Sequence, residues 1–103
     1  MSEPIIVTGV IDLDPANHDA AVDALTTCMM ASRDDEGCEG YVFSSDLVDP
    51  GRFHTFELWA SLEAMEAHMA TPHMATLMTQ MGELGVTGAS LTKWAGATAS
   101  KLM

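Results

Sequence analysis

The order of apolar and polar positions changes its period several times along the chain. PIIVTGVIDLD, at 4–14, is rich in β-branched residues and has no helical period, so it predicts a buried strand. Gly9 lies inside this stretch, where a glycine often marks a bulge or the close approach of another segment. From Asp14 onward apolar side chains recur every three or four positions. This predicts a helix with Asp14 as N-cap, Pro15 at its first position and an end near Arg33.

Two runs with strand-like alternation follow and predict a β-hairpin. They span 38–49 and 53–60, and DPGR at 49–52 supplies the proline and glycine of a turn. Successive residues of a strand point to opposite sides of a sheet. In the second run, one side carries Phe53, Thr55, Glu57 and Trp59, and the other carries His54, Phe56, Leu58 and Ala60.

A second helical segment is interrupted by a proline. Ser61 is the expected N-cap of a helix whose apolar stripe consists of Leu62, Met65, His68 and Met69. Pro72 has no N–H to continue the backbone ladder, so the helix breaks there and another follows over 72–83. The apolar side of that helix carries Met74, Leu77, Met78 and Met81. A last strand is predicted over 85–96, where glycines and small residues suggest close packing.

The resulting order, β-α-β-β-α-β, predicts an α+β fold. It is that of a ferredoxin-like plait, an antiparallel sheet with helices on one face, here with a broken second helix. A length of 103 residues predicts a single domain over 1–103. The helices can cover only one face of the sheet, and the other face also carries apolar residues. We therefore expect a homodimer.

Charge and cysteine content exclude several classes of function. The net charge of −11, from 15 acidic and 4 basic residues, disfavours binding to nucleic acid or to an anionic membrane. Cys28 and Cys38 are ten residues apart, a spacing that matches no common metal or redox motif, so two reduced thiols are expected. The N-terminus lacks the features of a signal peptide, and no apolar run approaches the roughly 20 residues of a membrane span. These features predict a soluble, cytoplasmic protein.

The stretch FELWASLEAMEAHMATPHMATLM, at 56–78, contains most of the residues that could bind a ligand or transfer a proton. His68 lies on an apolar helical stripe, so it is either a core residue or a pocket base whose ordinary pKa is near neutrality. His73 follows the helix break, where it could cap, face solvent or line a pocket mouth. The two histidines are five residues apart, separated by Pro72 and without a cluster of carboxylates, so no metal site is expected.

Two segments, SRDDEGCEGYVFSSD and DPGRFHTFELWASLEAMEAHMATPHM, resemble the antibiotic biosynthesis monooxygenase (ABM) domain family. The matching positions are Glu36, Gly37, Cys38, Tyr41, Phe53, Glu57, Trp59, His68, Thr71, Pro72 and His73. The resemblance implies a dimeric α+β barrel, in which two ferredoxin-like subunits pack sheet against sheet, with a pocket in each subunit between sheet and helices. Members include cofactor-free oxygenases that convert hydroxyaromatics or quinols to quinones. Others degrade haem or isomerise small signalling sugars.

The haem-degrading branch has three signature positions, an asparagine on the first strand, a tryptophan on the second helix and a later axial histidine. They fall near Gly9, at His68 and at Met78 here, and all three depart from the pattern. Haem degradation is therefore disfavoured, and no haem, flavin or metal cofactor is expected.

The resulting hypothesis is a cofactor-independent monooxygenase that acts on a small hydroxyaromatic or quinol. His68 is the first candidate base and His73 the second, while Glu57 is either a structural carboxylate or the group that orients the His68 ring. Substrate-binding candidates are Trp59, as a flat wall, together with Phe43, Met65, Met69 and Met78. A non-catalytic small-molecule-binding dimer and an isomerase of a small carbonyl compound are the alternatives.

Overall fold

A computed structural model describes residues 3–103, and its elements follow the expected β-α-β-β-α-β order. The strands are β1 (Ile5–Leu13), β2 (Cys38–Ser45), β3 (Arg52–Trp59) and β4 (Val86–Ala95). The helices are α1 (His18–Arg33), α2 (Leu62–Met69) and α3 (Pro72–Glu83), and a 3₁₀ turn (Pro15–Asn17) precedes α1. The strands form one sheet in the order β2-β3-β1-β4 with every neighbouring pair antiparallel. The α+β, ferredoxin-like fold with a broken second helix is confirmed.

The start of α1 differs from the prediction by one turn. Asp14 and Pro15 begin the 3₁₀ turn rather than the helix, and the Asp14 carboxylate accepts a hydrogen bond from the Ala16 N–H at 3.0 Å. Asn17 Nδ2 donates to the carbonyl of Leu84 at 2.8 Å, which ties the turn to the end of α3. The tighter turn therefore places Asn17 against the other helix before the α-helical spiral begins at His18.

The break between α2 and α3 is built by Thr71 and Pro72. Thr71 Oγ1 accepts a hydrogen bond from the Met74 N–H at 3.4 Å and donates to the His68 carbonyl at 2.7 Å. Pro72 occupies the first position of α3, where a backbone N–H has no partner within the helix. One threonine thus ends α2 and begins α3, and it leaves His68 and His73 on opposite sides of the break.

The alternation predicted for β3 is confirmed. Its residues Phe53, Thr55, Glu57 and Trp59 are buried against the helices. The close approach expected at Gly9 is also present, because a Cβ atom there would lie 2.2 Å from the Ser90 carbonyl oxygen of β4. The irregularities of the sheet fall elsewhere, between Asp12 and Leu13 of β1 and between Cys38 and Gly40 of β2.

Buried side chains form two clusters between the sheet and the helices. The larger one joins α1 and α3 through residues such as Leu25, Cys28 and Leu77, and the smaller one surrounds Tyr41 and Trp59. Both cysteines are free thiols, as expected. No helix within residues 3–103 is long and apolar enough to cross a membrane.

The face of the sheet that points away from the helices remains partly apolar. Val42, Phe56 and Trp94 are 39%, 43% and 54% exposed on this face, which we call the outer face. Trp94 lies opposite Ile6 on β1, and its indole N–H donates to Thr8 Oγ1 at 2.8 Å. Three large apolar side chains on three strands of the sheet are therefore open to solvent in a single chain.

Candidate functional site

A cavity of about 440 Å³ lies between the sheet and helices α2 and α3. Five methionines line its helical side: Met65, Met69, Met74, Met78 and Met81. Met74 is buried, whereas Met69 and Met78 are more than half exposed and stand at the mouth. Methionine side chains are flexible and polarisable, so this wall can adapt to an irregular apolar ligand.

Four of the five predicted substrate-binding residues line this cavity, namely Phe43, Met65, Met69 and Met78. Trp59, the fifth, is completely buried and is not part of the lining. Its position is behind the cavity wall, between the sheet and His68, rather than in the open face that stacking on a ligand requires.

Glu57 is the carboxylate of the cavity. It lines the sheet side and is 6% exposed, and its Oε1 accepts a hydrogen bond from the Trp59 indole N–H at 2.8 Å. Burial raises the pKa of Glu57, and the hydrogen bond from Trp59 and the proximity of His68 offset part of that rise. Within residues 3–103 no donor reaches Oε2, so this oxygen is available to a ligand.

His68 lies behind Trp59 and Tyr41. Its ring is 4.6 Å from the Trp59 ring between centroids, tilted by 33°, and 5.2 Å from the Tyr41 ring. The side chain has no exposed surface and does not line the cavity. Tyr41 lines the cavity and lies between it and the His68 ring. Burial holds the pKa of the Tyr41 phenol well above the ordinary value.

Asp35 joins the two candidate histidines. Its Oδ2 accepts hydrogen bonds from His68 Nδ1 at 2.8 Å and from His73 Nε2 at 2.9 Å. His68 is thus oriented by Asp35, and the expectation that Glu57 orients this ring was wrong. His73 is partly exposed beside Asp35 and, like His68, does not line the cavity.

Asp35 is the site residue that the sequence analysis missed. It lies in the loop between α1 and β2, and Gly37 of that loop has φ of 80°. A Cβ atom at Gly37 would lie 2.5 Å from the Ala64 Cβ atom of α2, so a glycine is needed for the loop to pack on this helix. The acidic run before Gly37 was the available signal, but it gives no indication which carboxylate reaches a histidine 33 residues later.

Asp35, His68 and His73 are also the residues best placed to hold a metal ion, since each offers a ligand atom within 4.8 Å of the others. The hydrogen bonds at 2.8 and 2.9 Å are shorter than the roughly 3.3 Å that separates two ligands of tetrahedral zinc. A metal on Nδ1 of His68 would also require an acceptor for Nε2–H, and Nε2 has no partner within residues 3–103. Hydrogen bonding therefore accounts for the cluster without a metal.

Comparison with known proteins gives solved structures of the same size and fold, and a longer relative by sequence. A protein from Deinococcus radiodurans described as a "putative antibiotic biosynthesis monooxygenase" has a TM-score of 0.89 at 28% identity, covering 96% of this chain and 98% of that chain. Rv0793 from Mycobacterium tuberculosis has a TM-score of 0.84 at 24% identity, covering 95% and 99%, and shares the fold. An uncharacterised protein from Synechocystis, sll1783, is 28% identical over 82 residues, and the chain spans 56% of its length.

The profile of one family extends over most of the chain. The family is described as antibiotic biosynthesis monooxygenase, and its profile matches residues 4–80. The matched region includes both sequence segments that carry the resemblance, together with Asp35, Glu57 and the two histidines of the Asp35 cluster. The chain belongs to the antibiotic biosynthesis monooxygenase family.

Proposed function

We propose that this protein is a cofactor-independent monooxygenase that oxidises a small hydroxyaromatic or quinol with dioxygen, and that Glu57 accepts the phenolic proton. Family membership and an apolar cavity with a single carboxylate support this proposal. The position of Glu57 carries it, because Glu57 touches the cavity whereas His68 and His73 do not.

The proposed reaction needs no external reductant. Removal of the phenolic proton by Glu57 Oε2 gives an electron-rich phenolate, which can pass an electron to dioxygen. A ring C–H is then replaced by C=O, one oxygen atom of O₂ enters the ring, and the other leaves as water. The phenol loses two hydrogens in forming the quinone, so atoms and electrons balance.

Glu57 is suited to the proton transfer by its surroundings. Its raised pKa makes the carboxylate a better proton acceptor than an exposed glutamate. The Trp59 N–H holds Oε1, so the carboxyl group has one fixed oxygen and one free oxygen. His68 packs on Trp59 and is itself held by Asp35, so we assign His68 the role of a positioning residue rather than the base.

Oxygen uptake by the purified protein with a panel of dihydroxynaphthalenes, anthrones and quinols tests the proposal. We expect turnover with at least one compound, and Glu57→Gln should lower kcat by about 10²- to 10⁴-fold, the usual contribution of a general base. Glu63→Gln, at an exposed glutamate of α2, is the matched control and should leave kcat unchanged.

Two results would contradict parts of this proposal. Saturable ligand binding without oxygen uptake by any compound would favour the non-catalytic binding dimer. Full turnover by Glu57→Gln together with loss of turnover by His68→Gln would return the role of base to His68.

A further inference from the structure

We propose that the cavity selects an aromatic hydroxy acid, whose hydroxyl group faces Glu57 and whose carboxylate pairs with Lys93, with Thr55 donating a hydrogen bond to a ligand oxygen. This inference deepens the proposed function, because the contact between the hydroxyl group and Glu57 rests on it. The roles of Lys93 and Thr55 rest on separate observations.

Thr55 has an unused hydroxyl group buried beside the cavity. The residue is 5% exposed, it lines the cavity, and its Oγ1 atom has no hydrogen-bond partner within residues 3–103. Buried hydroxyl groups are nearly always paired with protein or water, because loss of hydration without a replacement is costly. A ligand oxygen at this place would supply the missing partner.

Lys93 is the cation of the cavity lining. Arg52 is committed to an ion pair with Asp12 at 2.7 Å, and Arg33 donates to the Tyr41 carbonyl at 3.0 Å. Lys93, by contrast, has no carboxylate within ion-pair distance in the described part of the chain. It projects from β4 on the same side of the sheet as Glu57 and Thr55, so its charge is free for a ligand.

The sheet register sets the spacing of the two residues that carry these charges. Glu57 and Lys93 both pair with Val7, one from β3 and the other from β4. Their Cα atoms are therefore two strand spacings apart, or about 10 Å. The flexible side chain of Lys93 extends the reach beyond this spacing, so a planar molecule of one or two rings, with a hydroxyl group at one end and a carboxylate at the other, can contact both residues.

Because the protein as a whole is acidic, attraction of a ligand carboxylate is confined to the vicinity of Lys93. A net charge of −11 repels anions at long range, so an anionic ligand gains attraction only close to Lys93. Lys93 is itself exposed, and salt screens interactions of exposed charges. The preference for a carboxylate should therefore weaken as ionic strength rises from about 0.05 to about 0.5 M, whereas the affinity of a neutral ligand should not.

Paired probes that differ only in charge test the inference. The probes are 6-hydroxy-2-naphthoate and 4-hydroxybenzoate, each compared with its own carboxamide, and equilibrium dialysis measures Kd. We expect the carboxylate to bind about five-fold more tightly than the amide in at least one pair, the size expected for a partly solvated ion pair. Lys93→Met should remove this preference by weakening only the carboxylate, and Thr55→Val should weaken both members of the pair.

Lys101→Met is the matched control, since Lys101 is exposed beyond β4 and does not line the cavity. It should leave both Kd values unchanged. Equal binding of carboxylate and amide to the unmodified protein, or equal weakening of both by Lys93→Met, would overturn the inference. If carboxylate selectivity is absent but neutral quinols are turned over, the proposed function stands and only the inference fails. If carboxylates are selected but no compound is turned over, the proposed function alone fails.

Discussion

Asp35, His68, Trp59 and Glu57 form a continuous series of contacts from the protein surface to the cavity. The Asp35 carboxylate fixes the His68 ring, this ring packs against Trp59, and the Trp59 N–H holds one oxygen of Glu57. The completely buried members, His68 and Trp59, have no direct access to a ligand. In the proposed reaction, their effect would pass through the position of the Glu57 carboxyl group.

The buried state of Glu57 predicts a dependence of stability on pH. Its pKa is raised above the ordinary 4.5 by burial, so the folded protein keeps this proton to a higher pH than the unfolded chain does. The free energy of unfolding therefore falls as pH rises from the pKa of Glu57 in the unfolded chain through its higher pKa in the folded protein. Glu57→Gln cannot lose a proton, so its free energy of unfolding, relative to the unmodified protein, should rise between about pH 4 and about pH 7.

Urea denaturation at both pH values measures this difference. Glu63→Gln provides the comparison for loss of an exposed carboxylate and should show little change relative to the unmodified protein. A Glu57→Gln variant whose stability relative to the unmodified protein does not change with pH would mean that Glu57 titrates as an exposed glutamate does.

The break between α2 and α3 explains how two histidines five residues apart reach one carboxylate oxygen. In an uninterrupted α-helix, residues at this spacing point in directions roughly 140° apart, since each residue advances by about 100°. Thr71 and Pro72 change the direction of the chain between His68 and His73. Both rings then approach Asp35 Oδ2.

Thr71→Ala should therefore have a larger effect than an ordinary surface threonine. It removes the N-cap of α3 and the hydrogen bond to the His68 carbonyl, and loss of an N-cap costs about 1 kcal/mol of stability. Thr79→Ala, at an exposed position within α3, is the matched control. Urea denaturation compares the two, and equal free energies of unfolding would show that Thr71 contributes no capping energy.

How far the elements could be predicted depends on whether their cause is local. Pro72 and the DPGR turn break the chain through their own chemistry, so the helix break and the presence of the hairpin were predicted correctly, although β2 ends at Ser45 rather than at 49. The start of α1 was not, because Asn17 is held by Leu84, far away in sequence. The contact of Asp35 with His68 is equally non-local, and the His68 ring that Asp35 holds packs against Trp59 and helps to bury it. Periodicity identified the cavity methionines but could not show which residues lie behind its wall.

At the scale of the whole molecule, the outer face predicts a homodimer. Val42, Phe56 and Trp94 are large apolar residues on three different strands, and helices cover only the opposite face. Pairing two such faces would bury them in a sheet-to-sheet interface of the type that the ABM resemblance implies.

Light scattering should give a mass of about 22 kDa, twice the 11.0 kDa of one chain. Phe56→Asp should shift the mass towards one chain, because a buried unpaired carboxylate opposes association. Leu47→Asp, at a fully exposed leucine in the turn between β2 and β3, is the control and should remain dimeric. A mass near 11.0 kDa for the unmodified protein would rule out the dimer.

The methionine wall has a consequence for the working life of the protein. In the proposed reaction dioxygen is reduced beside the thioethers of the five cavity methionines. Met69 and Met78, at the mouth, are more than half exposed. Thioethers are readily converted to sulfoxides, which are polar and restored by dedicated reductases. Reduced oxygen that escapes would therefore turn an apolar wall into a polar one. The lifetime of such a catalyst would then depend on the number of turnovers it has completed and on the cell's capacity for repair.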